Sequence, residues 1–165
     1  MVYIVIIYIS ATVLSIKIDL PGFSKVAFID PEKKYGEPGQ YTAYAPKTKN
    51  LKQLIVRARK KGFEIRYDYS LPGDRTPYRF IITEIPAGHV QPFHAHSNLC
   101  EVTIVTKGEI VYIESDTLDE AMPKALLKKR AQKIKEGGRV IDASQKRHTV
   151  ANFSRSYAEL ITIQS

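Results

Sequence analysis

Residues 88–108 read GHVQPFHAHSNLCEVTIVTKG, and this stretch narrows the possible folds furthest. Two histidines one residue apart, His94 and His96, precede a carboxylate, Glu101, with Gly88 and Gly108 at the borders. Pro92 disfavours helix at Gln91 and around itself, so QPFHAHS is extended. On a strand, positions two apart share a face, so His94 and His96 project together. Glu101 is an odd number of residues beyond His96 and would face away on a straight strand. Ser97-Asn98 offers a turn or bulge that breaks the register. EVTIVT is rich in β-branched residues and reads as a new strand. Lys107-Gly108-Glu109 then reads as a tight hairpin turn into EIVYIES. Glu101 can therefore face the same interior as the histidines, from the neighbouring strand. A fourth candidate, His148, follows in HTVAN. Three imidazoles and one carboxylate suit a borderline divalent metal.

The rest of the chain supplies the frame. FEIRYDYS and YRFIITEI alternate in polarity and are separated by the turn-rich LPGDRTP. EVTIVT, EIVYIES, RVIDAS, HTVANFS and AELITIQS continue the pattern, which indicates a barrel or sandwich. Leu51, Leu54, Ile55 and Ala58 recur at helical spacing, with Gly62 as a stop, and predict an amphipathic helix over 49–61 resting on the strands. KVAFI predicts one short strand before it. Between the two histidine-bearing regions, Thr117 and Glu120 form a possible capping box limited by Pro123. A short helix or loop near 117–126 and a strand near 128–135 are expected there. The uncharged opening, MVYIVIIYISATVLSI, is shorter than a spanning helix needs and is rich in strand formers. It reads as one or two buried strands that require cover, with a signal or anchor segment as the alternative.

Here the residues reach a family. Gly88, five residues, His94-Ala95-His96, four residues, Glu101, six residues, Gly108 resembles the first signature motif of the cupin superfamily without a departure. GGRVIDASQKRHTVAN, from Gly137 to Asn152, resembles the second motif at Gly137, His148 and Asn152. Ala143 replaces its proline and Gln145 its second glycine, which concerns the turn before His148. The resemblance covers roughly residues 78–164. It implies an all-β fold with minor helix: an antiparallel double-stranded β-helix, or jelly-roll barrel, over residues 63–165, with residues 1–62 as a strand-and-helix extension. It implies that His94, His96, Glu101 and His148 bind one divalent metal per chain, drawn from iron, manganese, nickel, cobalt or zinc. Four protein ligands leave about two positions on an octahedral ion. The resemblance implies metal-dependent, dioxygenase-type chemistry on a small oxygen-rich molecule as the expected function. Non-redox isomerase or lyase chemistry, or metal-dependent ligand binding without catalysis, are the alternatives.

Composition bounds the partners. Lysine and arginine number 25 against 17 acids, a net charge of +8, yet the basic clusters at 57–61 and 128–135 lack interleaved aromatics. The excess reads as a solvated surface compatible with an anionic small molecule, with neither nucleic acid nor membrane as partner. The single cysteine, Cys100, cannot form an internal disulfide, and a cytoplasmic protein is expected. Cys100 neighbours Glu101 and is expected to pack on the opposite face. His89 is out of register with His94 and His96 and is expected at the surface or behind the ligands. Asn152 is too weak a candidate for a named role. Tyr78, Arg79 and Thr103 lie on strands of which one face lines the cavity. A homodimer is expected, because single-barrel cupins pair and the apolar N-terminal run needs a neighbour.

Overall fold

The computed structural model describes residues 22–69, 78–97, 99–142 and 146–165. The apolar opening run, the LPGDRTP turn, Asn98, Ala143 and Gln145 lie outside the described residues. The element order is β1 (Lys25–Ile29), β2 (Tyr41–Tyr44), α1 (Leu51–Lys60), β3 (Glu64–Asp68), β4 (Arg79–Ile85), β5 (Glu101–Lys107), β6 (Glu109–Glu114), α2 (Lys124–Lys129), β7 (Gln132–Lys135), β8 (Arg139–Asp142), β9 (His148–Ala151) and β10 (Ala158–Gln164). The strands form a seven-stranded sheet, β2-β1-β3-β4-β10-β5-β8, and a three-stranded sheet, β7-β6-β9. Every pairing is antiparallel. Two isolated bridges, Val90 with Ala151 and His94 with His148, lay residues 90–94 along the free side of β9. Among the described residues this is an antiparallel two-sheet architecture with two short helices, as in a jelly roll. The described pairings do not close the sheets into a continuous barrel.

Strand alternation assigns each face. On β3, Ile65 points to one side, where it packs with Val26, Phe28, Leu51 and Ala58 beneath α1. Glu64, Arg66 and Asp68 then face the other side, towards the space between the sheets. The inner faces of both sheets meet in a cluster that includes Ile85, Val105, Ile110, Ile134, Val150 and Leu160. The outer face of the small sheet is covered by Leu118 and Leu127, packed on Phe93 and Ile113.

Four sequence expectations are corrected. Residues 107–109 are not a hairpin: β5 belongs to the large sheet and β6 to the small one, and they do not pair. Gly108, at φ 77°, turns the chain from one sheet into the other, a backbone conformation that side chains disfavour. The capping box does not form. Ser115 Oγ accepts from the amides of Thr117 and Leu118, and Glu120 Oε2 accepts from the amide of Phe93 at 3.1 Å. The helix starts at Lys124 instead, after Pro123, whose missing N–H costs nothing at a helix start. It takes residues 124–129, so the following strand is confined to Gln132–Lys135. Cys100 is exposed and not packed: it lies at the end of the ladder, where its backbone pairs with Ser165 at the end of the described chain.

Candidate metal centre

The sequence pattern brings its three histidines together. His94 and His148 exchange backbone hydrogen bonds of 2.9 and 2.8 Å, which places their side chains side by side. Ring centroids are 4.6 Å apart for His94 and His148, 4.8 Å for His94 and His96, and 5.3 Å for His96 and His148. One ring nitrogen from each lies within 4.8 Å of the other two, and such a group can hold a metal ion. His148 is buried, His96 half-buried and His94 outermost.

Tautomers follow from the partners. Nδ1 of His94 lies 3.0 Å from the Pro92 carbonyl, and Nδ1 of His148 lies 2.9 Å from the Lys146 carbonyl. A carbonyl only accepts, so each Nδ1 carries a proton, and in a neutral ring Nε2 is then the nitrogen left to bind a metal. Burial, the largest cause, lowers the His94 pKa and favours its neutral, donating form. Asp142 Oδ2 also sits 2.9 Å from His148 Nδ1, and both groups are almost wholly buried. A carboxylate behind a ligating imidazole fixes its orientation and raises its basicity. Sequence reasoning missed Asp142. Its signal was position: it is opposite Glu101 in the β5–β8 register, so the two carboxylates share a face.

Glu101 reaches the group through His96. Its Oε2 lies 3.2 Å from His96 Nε2. That nitrogen is buried and, among the described residues, makes no well-aligned hydrogen bond, the Glu101 contact included. Two donor atoms around an ion with bonds near 2.1 Å sit about 3.0–3.4 Å apart, so the spacing matches neighbouring ligands. Gln164 Nε2 donates to the same oxygen at 2.8 Å, and Thr103 Oγ1 to the other at 3.3 Å. The donor set, three imidazoles with a carboxylate, fits a divalent cation.

The remaining singled-out residues separate cleanly. His89 is not part of the three-ring group. It is largely buried rather than at the surface, with Nε2 3.0 Å from Glu64 Oε2. Asn152 is fully buried and holds the loop before β10. Its Nδ2 donates to the carbonyls of Ile85 and Ser156, and its Oδ1 accepts from the amide and hydroxyl of Ser154. Thr103 lines a cavity of about 70 Å³ beside the histidines. Arg79 lines a groove of about 1750 Å³ outside it, and Tyr78 is exposed.

No protein-family profile matches the chain, and no curated protein matches it. Several solved structures are similar to it. The Cupin_2 domain of an XRE family transcriptional regulator from Enterobacter cloacae is 16% identical over 61% of this chain and 94% of that one, with a TM-score of 0.47. A sugar phosphate isomerase from a cupin superfamily, from Silicibacter pomeroyi, is 13% identical over 67% of this chain and 63% of that one, with a TM-score of 0.49. The polyketide cyclase RemF from Streptomyces resistomycificus is 11% identical over 61% and 63%, with a TM-score of 0.48. The chain spans less than two thirds of the length of the latter two. Among the described residues, no helix is long and apolar enough to cross a membrane.

Proposed function

We propose that this chain is a cupin-type metal-dependent enzyme acting on a small oxygen-rich molecule, with dioxygenase-type chemistry. His94, His96, Glu101 and His148 hold one divalent metal. The observation that supports this reading is the convergence of the His94, His96 and His148 ring nitrogens to within 4.8 Å of one another, with Glu101 Oε2 3.2 Å from His96 Nε2. Once bound, a divalent metal supplies a Lewis acid and a template for a chelating substrate, with room for molecular oxygen if it is iron. The protein's own part is to hold the His94 and His148 imidazoles in one tautomer through the Pro92 and Lys146 carbonyls, to set the Asp142 carboxylate beside His148, and to shape the cavity next to them.

The cavity supports oxygenase chemistry over isomerase or lyase chemistry. Among the described residues lining it, Arg66 is the one charged group besides the proposed ligands. A guanidinium keeps its protons near neutral pH and is a poor acid–base catalyst. Chemistry without a separate proton shuttle suits such a site better.

The test is elemental analysis of untagged protein. About one divalent ion per chain is expected, and none after His94→Ala and His96→Ala together. Unchanged metal content in the double variant would refute the site. Oxygen consumption by the iron-loaded protein across a substrate screen tests the chemistry. Silence across that screen favours a metal-dependent binding module.

A further inference from the structure

The inner cavity has a second chemical pole. His94, Glu101 and His148 line it at one side, and Arg66 lines it as well. Arg66 also borders the outer groove, together with Ile81, Gln91, His94 and Gln164. These five residues are common to both spaces, so Arg66 stands at the throat between them.

Arg66 is held differently from the other paired arginines. Arg59 donates through Nε and Nη2 to the two oxygens of Glu84. Arg79 donates through the same two nitrogens to Asp68 Oδ2. Arg66 donates only Nε, to Glu64 Oε1 at 2.5 Å. Its terminal N–H groups have no protein partner among the described residues. Glu64 is fully buried and its second oxygen is taken by His89, so the guanidinium is braced from behind. Flanking residues fix the strand, since Ala27 of β1 and Thr83 of β4 lie opposite Arg66 in register. Braced at Nε and open at its fork, a guanidinium matches the geometry of a carboxylate or phosphate.

We propose that Arg66 is the anion-recognition residue of this site, and that its ligand is a small molecule bearing an oxyanion group, carboxylate or phosphate. The anionic group sits on the Arg66 fork, and the oxygen atoms at the other end of the molecule reach towards the histidines. A cavity of about 70 Å³ limits the enclosed part to a few heavy atoms. Thr83, Thr103 and Thr162 hydroxyls and the Gln91 and Gln164 amides also line the space and suit an oxygen-rich body. The chelating end rests on the metal-centre reading; the anion end does not.

Calorimetric titration of metal-free and zinc-loaded protein with inorganic phosphate, and separately with malonate, tests this. Saturable binding of at least one anion to the metal-free protein is expected, and the stronger of the two identifies the oxyanion. Arg66→Gln should weaken it about tenfold or more, the scale of one charge-assisted pair. Arg66→Lys keeps a cation beside Glu64 and so preserves the fold, while losing the fork. It should weaken binding severalfold, with an unchanged circular dichroism spectrum. Lys34→Gln, in the outer groove, should leave affinity as it is. Absence of saturable binding to both anions, or binding of equal strength in the folded Arg66→Lys protein, overturns the proposal. Loss of metal binding with retained anion binding would instead count against the metal centre alone.

Discussion

The space between the two sheets has a dry end and a polar end, and the same strands build both. On β4, Ile85 belongs to the apolar cluster while Arg79 borders the outer groove. On β5, Val105 lies at the dry end, with Thr103 and Glu101 at the other. On β10, Ala158 sits in the cluster, Thr162 and Gln164 line the cavity, and Leu160 touches both. Antiparallel register keeps like with like: Ala158 is opposite Ile85, and Gln164 is opposite both Arg79 and Glu101. Alternation therefore selects the face, and position along the strand selects the chemistry. One end is filled with side chains and stabilises the fold. At the other, polar groups surround a cavity.

The largest effect should come from the dry end. Ile85 is fully buried in the cluster, so Ile85→Ala should cost about 2–5 kcal/mol in a denaturant titration. Metal content, by elemental analysis, should stay at that of the unaltered protein in the fraction that folds. Loss of metal from that fraction would show that the two ends are not separable.

At the polar end, stability depends on charge and so on pH. Burial alone raises the Glu64 pKa, but the Arg66 charge and the His89 hydrogen bond outweigh it and hold the carboxyl at about 2, below an ordinary 4.5. A carboxyl lowered on folding stabilises the protein fully above its unfolded value. That contribution fades as pH falls from about 4.5 through 2, and its loss amounts to about 3 kcal/mol at most. Denaturation free energies measured from pH 6 to pH 2 should fall more steeply for the unaltered protein than for Glu64→Gln. Parallel pH profiles would remove the charged bracing of Arg66 from the account.

Much of this was legible in the residues, and the gaps have physical causes. Two histidines two apart, a glutamate on the next strand and a distant histidine are local signals, and the structure brings all four near one another. The turn at Gly108 was misread because a tight glycine turn looks the same whether it joins paired strands or switches sheets. Only long-range pairing distinguishes the two. The inward charged face of β3 was hidden for a related reason. FEIRYDYS alternates correctly, but its apolar face packs under α1, and the usual rule of polar outward and apolar inward then places Glu64 and Arg66 on the wrong side. Asp142 escaped notice because its value depends on a register with Glu101 that no local pattern encodes.

The smallest test is also the most local. Val105 and Thr103 are two residues apart on β5, face the same interior and differ by a methyl against a hydroxyl. Val105→Thr places a hydroxyl among Ile85, Ile110 and Leu160 and should cost about 1–3 kcal/mol unless it finds a partner. Thr103→Val removes a hydroxyl whose contacts with Glu101 and Thr162 are both 3.3 Å, long for such bonds. It should change stability by less than about 1 kcal/mol. Denaturant midpoints for the two variants, measured side by side, read the difference directly. Equal costs would mean that polarity does not change along the strand, and the division of the interior into two ends would lose its basis.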